Sequence, residues 1–141
     1  MTVNTYSPWG ELAAQPAITL EWRQLVGRVG EYLHRDRLIV LDPRMPRRQM
    51  RSVLCHELRH AEAAHVGVEC DKARRVQEIG VDRAAARLLI DVYDLGEALA
   101  FNERHVTPTA VELRVSDKML RVRLSSLHPS ERGYLKRRLE G

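Results

Sequence analysis

The stretch MPRRQMRSVLCHELRHAEAAHVG, residues 45–67, most limits how this chain can fold. Pro46 suits the first turn of a helix, and Gly67 suits a helix end. The apolar residues between them recur at the spacing of one helical face: Met50, Val53, Leu54, Leu58 and Ala61. The sequence therefore predicts one long amphipathic helix that buries this face.

Within the predicted helix lies the pattern HExxH, formed by His56, Glu57 and His60. Two histidines four residues apart point to the same side of a helix, so both imidazoles can reach one metal ion. Glu57 lies seven residues after Met50 and thus within the apolar face. A carboxylate there is costly unless it meets a metal, a proton or a hydrogen-bond donor. We therefore expect a zinc site at these residues.

A second predicted helix follows a polar connection and carries the pattern ExxxD, formed by Glu78 and Asp82. Its apolar residues repeat the helical spacing: Val81, Ala84, Ala85, Leu88, Leu89 and Val92. Glu78 lies three residues before Val81 and so falls on the face toward the first helix. We predict that Glu78 is the third metal ligand and that Asp82 accepts a hydrogen bond from a ligating imidazole.

The wider sequence around these patterns resembles that of a known family. HExxH followed by ExxxD resembles the gluzincin metallopeptidases, and VLCHELRHAEAAH with EIGVDRAAARLLI resembles the ImmA/IrrE family of bacterial and phage metallopeptidases. The resemblance covers most of the chain. It implies a zincin-type fold, in which zinc is bound by His56, His60 and Glu78. It also implies Glu57 as general base and Asp82 as hydrogen-bond partner of a ligand.

By the same resemblance, the expected partner is a protein substrate, namely a helix-turn-helix repressor of the kind that family members cleave or antagonise. The chain departs from the common family pattern at two places. Arg59 stands where glycine is frequent, and Ile90-Asp91 replaces a frequent Met-Pro pair. These departures do not change the implied metal ligands. They bear on which substrate the protein prefers.

The ligand set implies a metallopeptidase mechanism. Three protein ligands leave one coordination position open, at which zinc lowers the pKa of water from 15.7 to about 7. Glu57 would take the water proton and deliver it to the leaving amine. An edge strand within residues 29–42 would hold an extended peptide. His105, Tyr93 and Arg59 are open candidates for stabilising the oxyanion.

The remaining segments predict an α+β fold. Pro8 opens a short helix over residues 8–14, and the runs ITLEW, VGEYLHR and RLIVLD predict a small antiparallel sheet within residues 18–42. Near the end, three short helices are expected to begin near Thr107, Ser116 and Pro129, the first two resembling a helix-turn-helix. We expect one domain, with a zincin-like core over residues 1–104 and a helix-turn-helix-like tail over residues 105–141.

Composition and charge narrow the class of protein. A chain of 141 residues, 44% of them hydrophobic, suits one packed core, and a net charge of +4 is modest for a dedicated nucleic-acid binder. The start MTVNTYSPWGELAAQ lacks a signal-peptide pattern, and no run approaches the ~20 apolar residues of a membrane helix, so we expect a cytoplasmic protein. Cys55 and Cys70 fit no disulfide framework and are expected to be reduced thiols.

Other interpretations stay open. The two patterns would also occur on ordinary helices, or would bind a metal that only stabilises the fold. The chain would then be a non-catalytic, metal-stabilised regulator that binds a repressor or DNA through its basic C-terminal helices, although a solvated or protein-docking face is favoured for them. His65 is expected to be an ordinary helix-end residue, because HExxHxxGxxH fails at Ala63 and Val66.

Overall fold

A computed structural model describes residues 4–65, 67 and 70–141. These residues form seven helices and a three-stranded sheet, which confirms the predicted α+β class. The elements follow in this order: α1 (Pro8–Ala13), β1 (Thr19–Trp22), β2 (Gly30–Leu33), β3 (Leu38–Leu41), α2 (Arg47–Glu62), α3 (Asp71–Leu89), α4 (Val92–Phe101), α5 (Val106–Leu113), α6 (Asp117–Ser125) and α7 (Pro129–Glu140).

The sheet is mixed, with the strand order β1-β3-β2. β2 and β3 form the expected antiparallel pair, with Gly30 opposite Leu41, but β1 runs parallel to β3, with Thr19 opposite Leu38. The prediction of a wholly antiparallel sheet is therefore wrong for β1. β3 is the most apolar strand and takes the central, buried position. The chain reverses direction between β1 and β2 and again between β2 and β3, so β3 runs in the same direction as β1.

Helix α2 packs on the sheet through one face. Leu54 and Leu58 are fully buried against Ile39 and Leu41 of β3. Burial of each such side chain contributes ~1.5–3 kcal/mol relative to exposure, so this interface holds α2 firmly in place. The helix begins at Arg47, with Pro46 as its N-cap residue and not in its first turn as predicted. It ends at Glu62, before the expected end at Gly67, because the chain turns into a left-handed conformation two residues later.

Helices α3 to α7 share a second apolar cluster with Cys55 of α2. The predicted second helix ends at Leu89, so Val92 does not belong to it. Asp91 accepts hydrogen bonds from the backbone N–H groups of Tyr93 and Asp94 and thereby starts α4, which the sequence did not predict. The spacing of the apolar residues does not reveal this cap. The cap explains why α3 and α4 are separate helices.

The three terminal helices lie close to their predicted positions. Ser116 caps α6 by accepting from the backbone N–H of Met119, and Pro129 opens α7. α5 begins at Val106, with His105 as its N-cap residue, one residue before the predicted start near Thr107. The division of the chain at residue 105 and its single-domain character stay predictions. In the described part of the chain, no helix has the length and apolar character needed to cross a membrane.

Candidate metal centre

His56, His60 and Glu78 converge where α2 and α3 pack together. Glu78 places Oε2 2.9 Å from His56 Nε2 and Oε1 2.9 Å from His60 Nε2. The two histidine Nε2 atoms are 3.2 Å apart. One ligand atom of each residue lies within 4.8 Å of the others. The structure thus brings together the three side chains that the sequence predicts as ligands.

The packing of the two helices explains this convergence. Cys55 and Ala85 are fully buried at the contact between α2 and α3, where the thiol lies 3.8 Å from the carbonyl oxygen of Ala85. His56 and His60 lie one turn apart on α2, and both face α3. Glu78, one turn before the buried Val81, reaches across from α3. The apolar contact therefore fixes the spacing at which the polar side chains meet.

Asp82 orients one of the two imidazoles. Its Oδ1 lies 2.7 Å from His56 Nδ1, so the Nδ1–H donates to the carboxylate and Nε2 is directed toward Glu78. Burial opposes protonation of His56, but the hydrogen bonds to Asp82 and Glu78 prevail and raise its pKa to about 9. The other carboxylate oxygen of Asp82 lies 3.5 Å from Lys118 Nζ. Asp82 thus lies against one of the candidate histidine ligands.

Glu57 lies beside the ligands and is 6% exposed. Its Oε1 lies 4.0 Å from His56 Nε2, and burial raises the pKa of its carboxyl group to about 7. Gly30 of β2 passes directly over it, since a Cβ at that position would lie 3.4 Å from Glu57 Cγ. A carboxyl group with a pKa near neutrality can both accept and release a proton at physiological pH.

A cleft of about 570 Å³ opens over these residues. β2, an edge strand of the sheet, forms one wall, and the first half of α3 forms the other. Its lining comprises Arg28, Gly30, Glu31, Tyr32, His56, Glu57, His60, His65, Gly67, Arg74, Gln77 and Glu78. A second cavity of about 290 Å³ shares Gly30, Glu57 and Glu78 and extends to Lys118 and Met119 of α6. Together the two cavities run across the candidate centre.

The three residues proposed for oxyanion stabilisation are not among the described residues that line this cleft. Arg59 is buried and forms an ion pair with Glu11 of α1. Tyr93 lies edge to face with Tyr134, at a ring distance of 4.9 Å. His105 is exposed at the start of α5. The structure gives these side chains other surroundings.

Tyr32 lines the cleft, and the sequence interpretation missed it. Its hydroxyl lies 2.8 Å from His34 Nδ1. Successive side chains of a strand alternate in direction, so Tyr32 shares the face of Gly30 that meets α2. The alternation of β2 together with the packing of Gly30 on Glu57 would have identified it, but that packing is a tertiary contact.

His65 lies just beyond the end of α2, whereas the sequence predicted a helix that continues to Gly67. Its Nδ1 lies 3.0 Å from Nδ1 of His60, a contact that the sequence pattern did not indicate. The two rings are 5.2 Å apart and inclined by 67°. Each of the two histidines of HExxH therefore has one nitrogen toward Glu78 and the other toward a separate partner.

The donor set suits a divalent ion. Two imidazoles and one carboxylate are a ligand set that catalytic zinc sites use, with a further coordination position left for water or substrate. Burial of His60 lowers its pKa, which favours the neutral imidazole that a metal requires, whereas a metal would have to displace a proton from His56, whose pKa is raised. The hydrogen bond from His56 lowers the pKa of Glu78 and keeps its carboxylate ionised. The residues therefore fit a bound metal ion.

The chain matches the model of a known protein family. The model of the IrrE N-terminal-like domain, the peptidase M78 family, matches residues 20–125, from the second residue of β1 to the last residue of α6. This range contains every residue of the candidate centre. Neither a curated protein nor a solved structure matches the chain.

Proposed function

Because the chain belongs to the IrrE N-terminal-like domain family of peptidases, we propose that it is a zinc-dependent endopeptidase that hydrolyses peptide bonds of a protein partner. The convergence of His56, His60 and Glu78 beside the buried Glu57 carries this proposal. Both rings share one carboxylate, at 2.9 Å from each, as the ligands of a single ion would.

In this proposal, His56, His60 and Glu78 hold the ion, and Asp82 orients His56. Zinc supplies Lewis-acid chemistry when bound, since it polarises a carbonyl group and lowers the pKa of water. Histidine and carboxylate ligands also accept other divalent ions. Zinc is the metal that the two-histidine, one-glutamate set favours for hydrolysis.

Glu57 is the proposed general base and acid. Its carboxyl group is buried beside the ligands and has a pKa near neutrality. It therefore can take a proton from the attacking water and later deliver it to the leaving amine. Such proton transfer contributes about 10²–10⁴-fold to the rate of a typical enzyme.

The substrate would bind along β2. This strand lies at the edge of the sheet and forms a wall of the cleft, so an extended peptide can pair with its backbone. The adjoining cavity toward α6 lengthens the path across Glu57 and Glu78. We propose a helix-turn-helix repressor in the cytoplasm as the partner, on the strength of the family resemblance.

One variant tests the proposed reaction. Glu57→Gln should retain about one zinc ion per chain but lose cleavage by about 10²–10⁴-fold, because its side chain cannot take the water proton. Glu62→Gln is the matched control, since Glu62 is an exposed glutamate on the same helix. New protein N-termini should be compared in host cells that express wild type, Glu57→Gln or Glu62→Gln, with metal content measured on each purified protein.

The expected result is a set of new N-termini that wild type and Glu62→Gln produce and Glu57→Gln does not. Cleavage products that Glu57→Gln generates as efficiently as wild type would overturn the assignment of the general base. Absence of stoichiometric metal from wild type would overturn the metal centre. A generic casein assay is not informative, because a protease with a dedicated partner can ignore casein.

The alternative is a non-catalytic, metal-stabilised regulator that binds a repressor or DNA through its C-terminal helices. Exposed basic side chains of α7, namely Arg132, Lys136 and Arg137, favour it because they can contact an acidic partner or phosphates. For such a protein, Glu57→Gln would act in cells as wild type does. The same comparison therefore distinguishes the two functions.

A further inference from the structure

The end of α2 is built so that His65 meets His60. In a continuous helix, successive residues rotate by about 100°, so residue 65 would point about 140° away from residue 60. The helix ends instead at Glu62, and Ala64 adopts a left-handed conformation with φ 54°. The chain then turns back, and the two imidazoles come into contact.

Two backbone hydrogen bonds close this turn. The N–H of His65 donates to the carbonyl oxygen of His60 at 3.0 Å, and the N–H of Ala64 donates to that of Ala61 at 3.1 Å. This is the Schellman pattern of helix termination, in which glycine usually takes the left-handed position. The left-handed conformation costs more free energy for alanine than for glycine. A glycine at this position would therefore end the helix more favourably.

His60 needs a hydrogen-bond acceptor if its other nitrogen binds a metal. Coordination through Nε2, the atom that faces Glu78, requires the tautomer with a proton on Nδ1. His60 is 8% exposed, so water has little access to that Nδ1–H. Nδ1 of His65, 3.0 Å away, is the atom that the structure places beside it.

We infer that His65 is a positioning residue for the metal ligand His60, an inference that rests on the proposed metal centre. His65 accepts the Nδ1–H of His60, fixes the tautomer and holds the ring with Nε2 toward Glu78. It serves His60 as Asp82 serves His56, on the opposite flank of the centre. An imidazole acceptor carries no negative charge, unlike the carboxylate of Asp82, so His65 contributes orientation more than added basicity.

The test measures zinc affinity by competition with a chelator of known affinity. His65→Ala should bind zinc about 10-fold or more weakly, the range found for loss of such partners. His65→Asn should restore most of the affinity, because its side-chain oxygen can occupy the place of Nδ1. His105→Ala is the matched control, since His105 is an exposed histidine outside the cleft, and its affinity should equal that of wild type.

Two further measurements separate positioning from a structural role. The thermal midpoint of the metal-free His65→Ala protein should equal that of metal-free wild type, because His65 is only partly buried and lies beyond the last turn of α2. With cobalt in place of zinc, the visible absorption bands of His65→Ala should shift, since the orientation of one ligand changes. His65→Asn should return the bands toward those of wild type.

Equal zinc affinity of His65→Ala and wild type would overturn the inference while leaving the metal centre intact. Failure of His65→Asn to recover affinity would overturn the acceptor role. The thermal midpoint of metal-free His65→Ala could also fall far enough to account for the whole loss of zinc affinity. That result would show a structural role for His65 and would overturn the inference. Absence of stoichiometric zinc in wild type would overturn the proposed centre and this inference together.

Discussion

Oδ1 of Asp82 lies 2.7 Å from Nδ1 of His56, so a carboxylate on α3 fixes the imidazole that α2 directs toward Glu78. The second oxygen of Asp82 lies 3.5 Å from Lys118 at the start of α6. One carboxylate thereby connects three helices that are distant in sequence. The orientation of His56 depends on tertiary packing as well as on the spacing of HExxH.

Replacement of Asp82 should weaken metal binding. Asp82→Ala removes the acceptor for the Nδ1–H of His56, and we expect about 10–100-fold lower zinc affinity. Asp82→Asn retains an acceptor oxygen without the charge and should lie between Asp82→Ala and wild type. Chelator competition measures both values. Asp71→Ala, an exposed carboxylate on the same helix, is the control and should bind as wild type does. Unchanged affinity of Asp82→Ala would contradict the role of this contact.

The convergence of the candidate ligands could be predicted from the sequence because it depends mostly on helical geometry. The 3.6-residue period alone places His56 and His60 on one side of α2, and the apolar stripe of α3 gives the direction of Glu78. Such arguments need only the spacing of residues within one helix. The observed distances of 2.9 Å from Glu78 to each imidazole agree with that expectation.

Features that depend on contacts between distant residues were not predictable in the same way. His65 meets His60 only because the helix stops at Glu62, and a left-handed alanine is not a usual stop signal. The parallel direction of β1 depends on which strand occupies the centre of the sheet, and strand propensity does not specify this order. The cap formed by Asp91 likewise divides an apolar pattern that looked continuous.

Gly30 and Gly80 should respond in opposite ways to replacement by alanine. A Cβ at Gly30 would lie 2.4 Å from Cγ1 of Val53, so Gly30→Ala forces β2 and α2 apart and should cost about 1–3 kcal/mol of unfolding free energy. Gly80 lies in the middle of α3, and among the described residues no atom from outside its own helix lies within 4 Å of the place that a Cβ would take. Gly80→Ala should therefore stabilise the protein by about 0.5–1 kcal/mol.

Urea unfolding of the metal-free proteins measures both changes. A stability of Gly30→Ala equal to that of wild type would show that the strand and the helix do not approach as closely as described. Destabilisation by Gly80→Ala would show that α3 needs a glycine at this point for a reason other than helix propensity. The two variants make the same chemical change, so the difference between them reports only on their surroundings.

The ion pair between Glu131 and Arg123 should make stability depend on pH in the acid range. Arg123 is 3% exposed and donates to both oxygens of Glu131, and this hydrogen bonding holds the pKa of Glu131 at about 2. In the unfolded chain a glutamate has a pKa near ~4.3. The folded state therefore binds fewer protons, so the contribution of the pair is full above that value and is lost as the pH falls toward 2.

Glu131→Gln should lower the unfolding free energy of the metal-free protein by about 1.5–3 kcal/mol at pH 7, the range for hydrogen bonds to charged groups. The difference from wild type should shrink between pH 4.5 and pH 2, because wild type then loses the same interaction by protonation. Glu97→Gln removes an exposed pair with Arg138 and should change stability little, since solvent screens that pair. Urea unfolding across this pH range measures the three proteins. A difference between Glu131→Gln and wild type that stays constant from pH 7 to pH 2 would contradict the ionised pair.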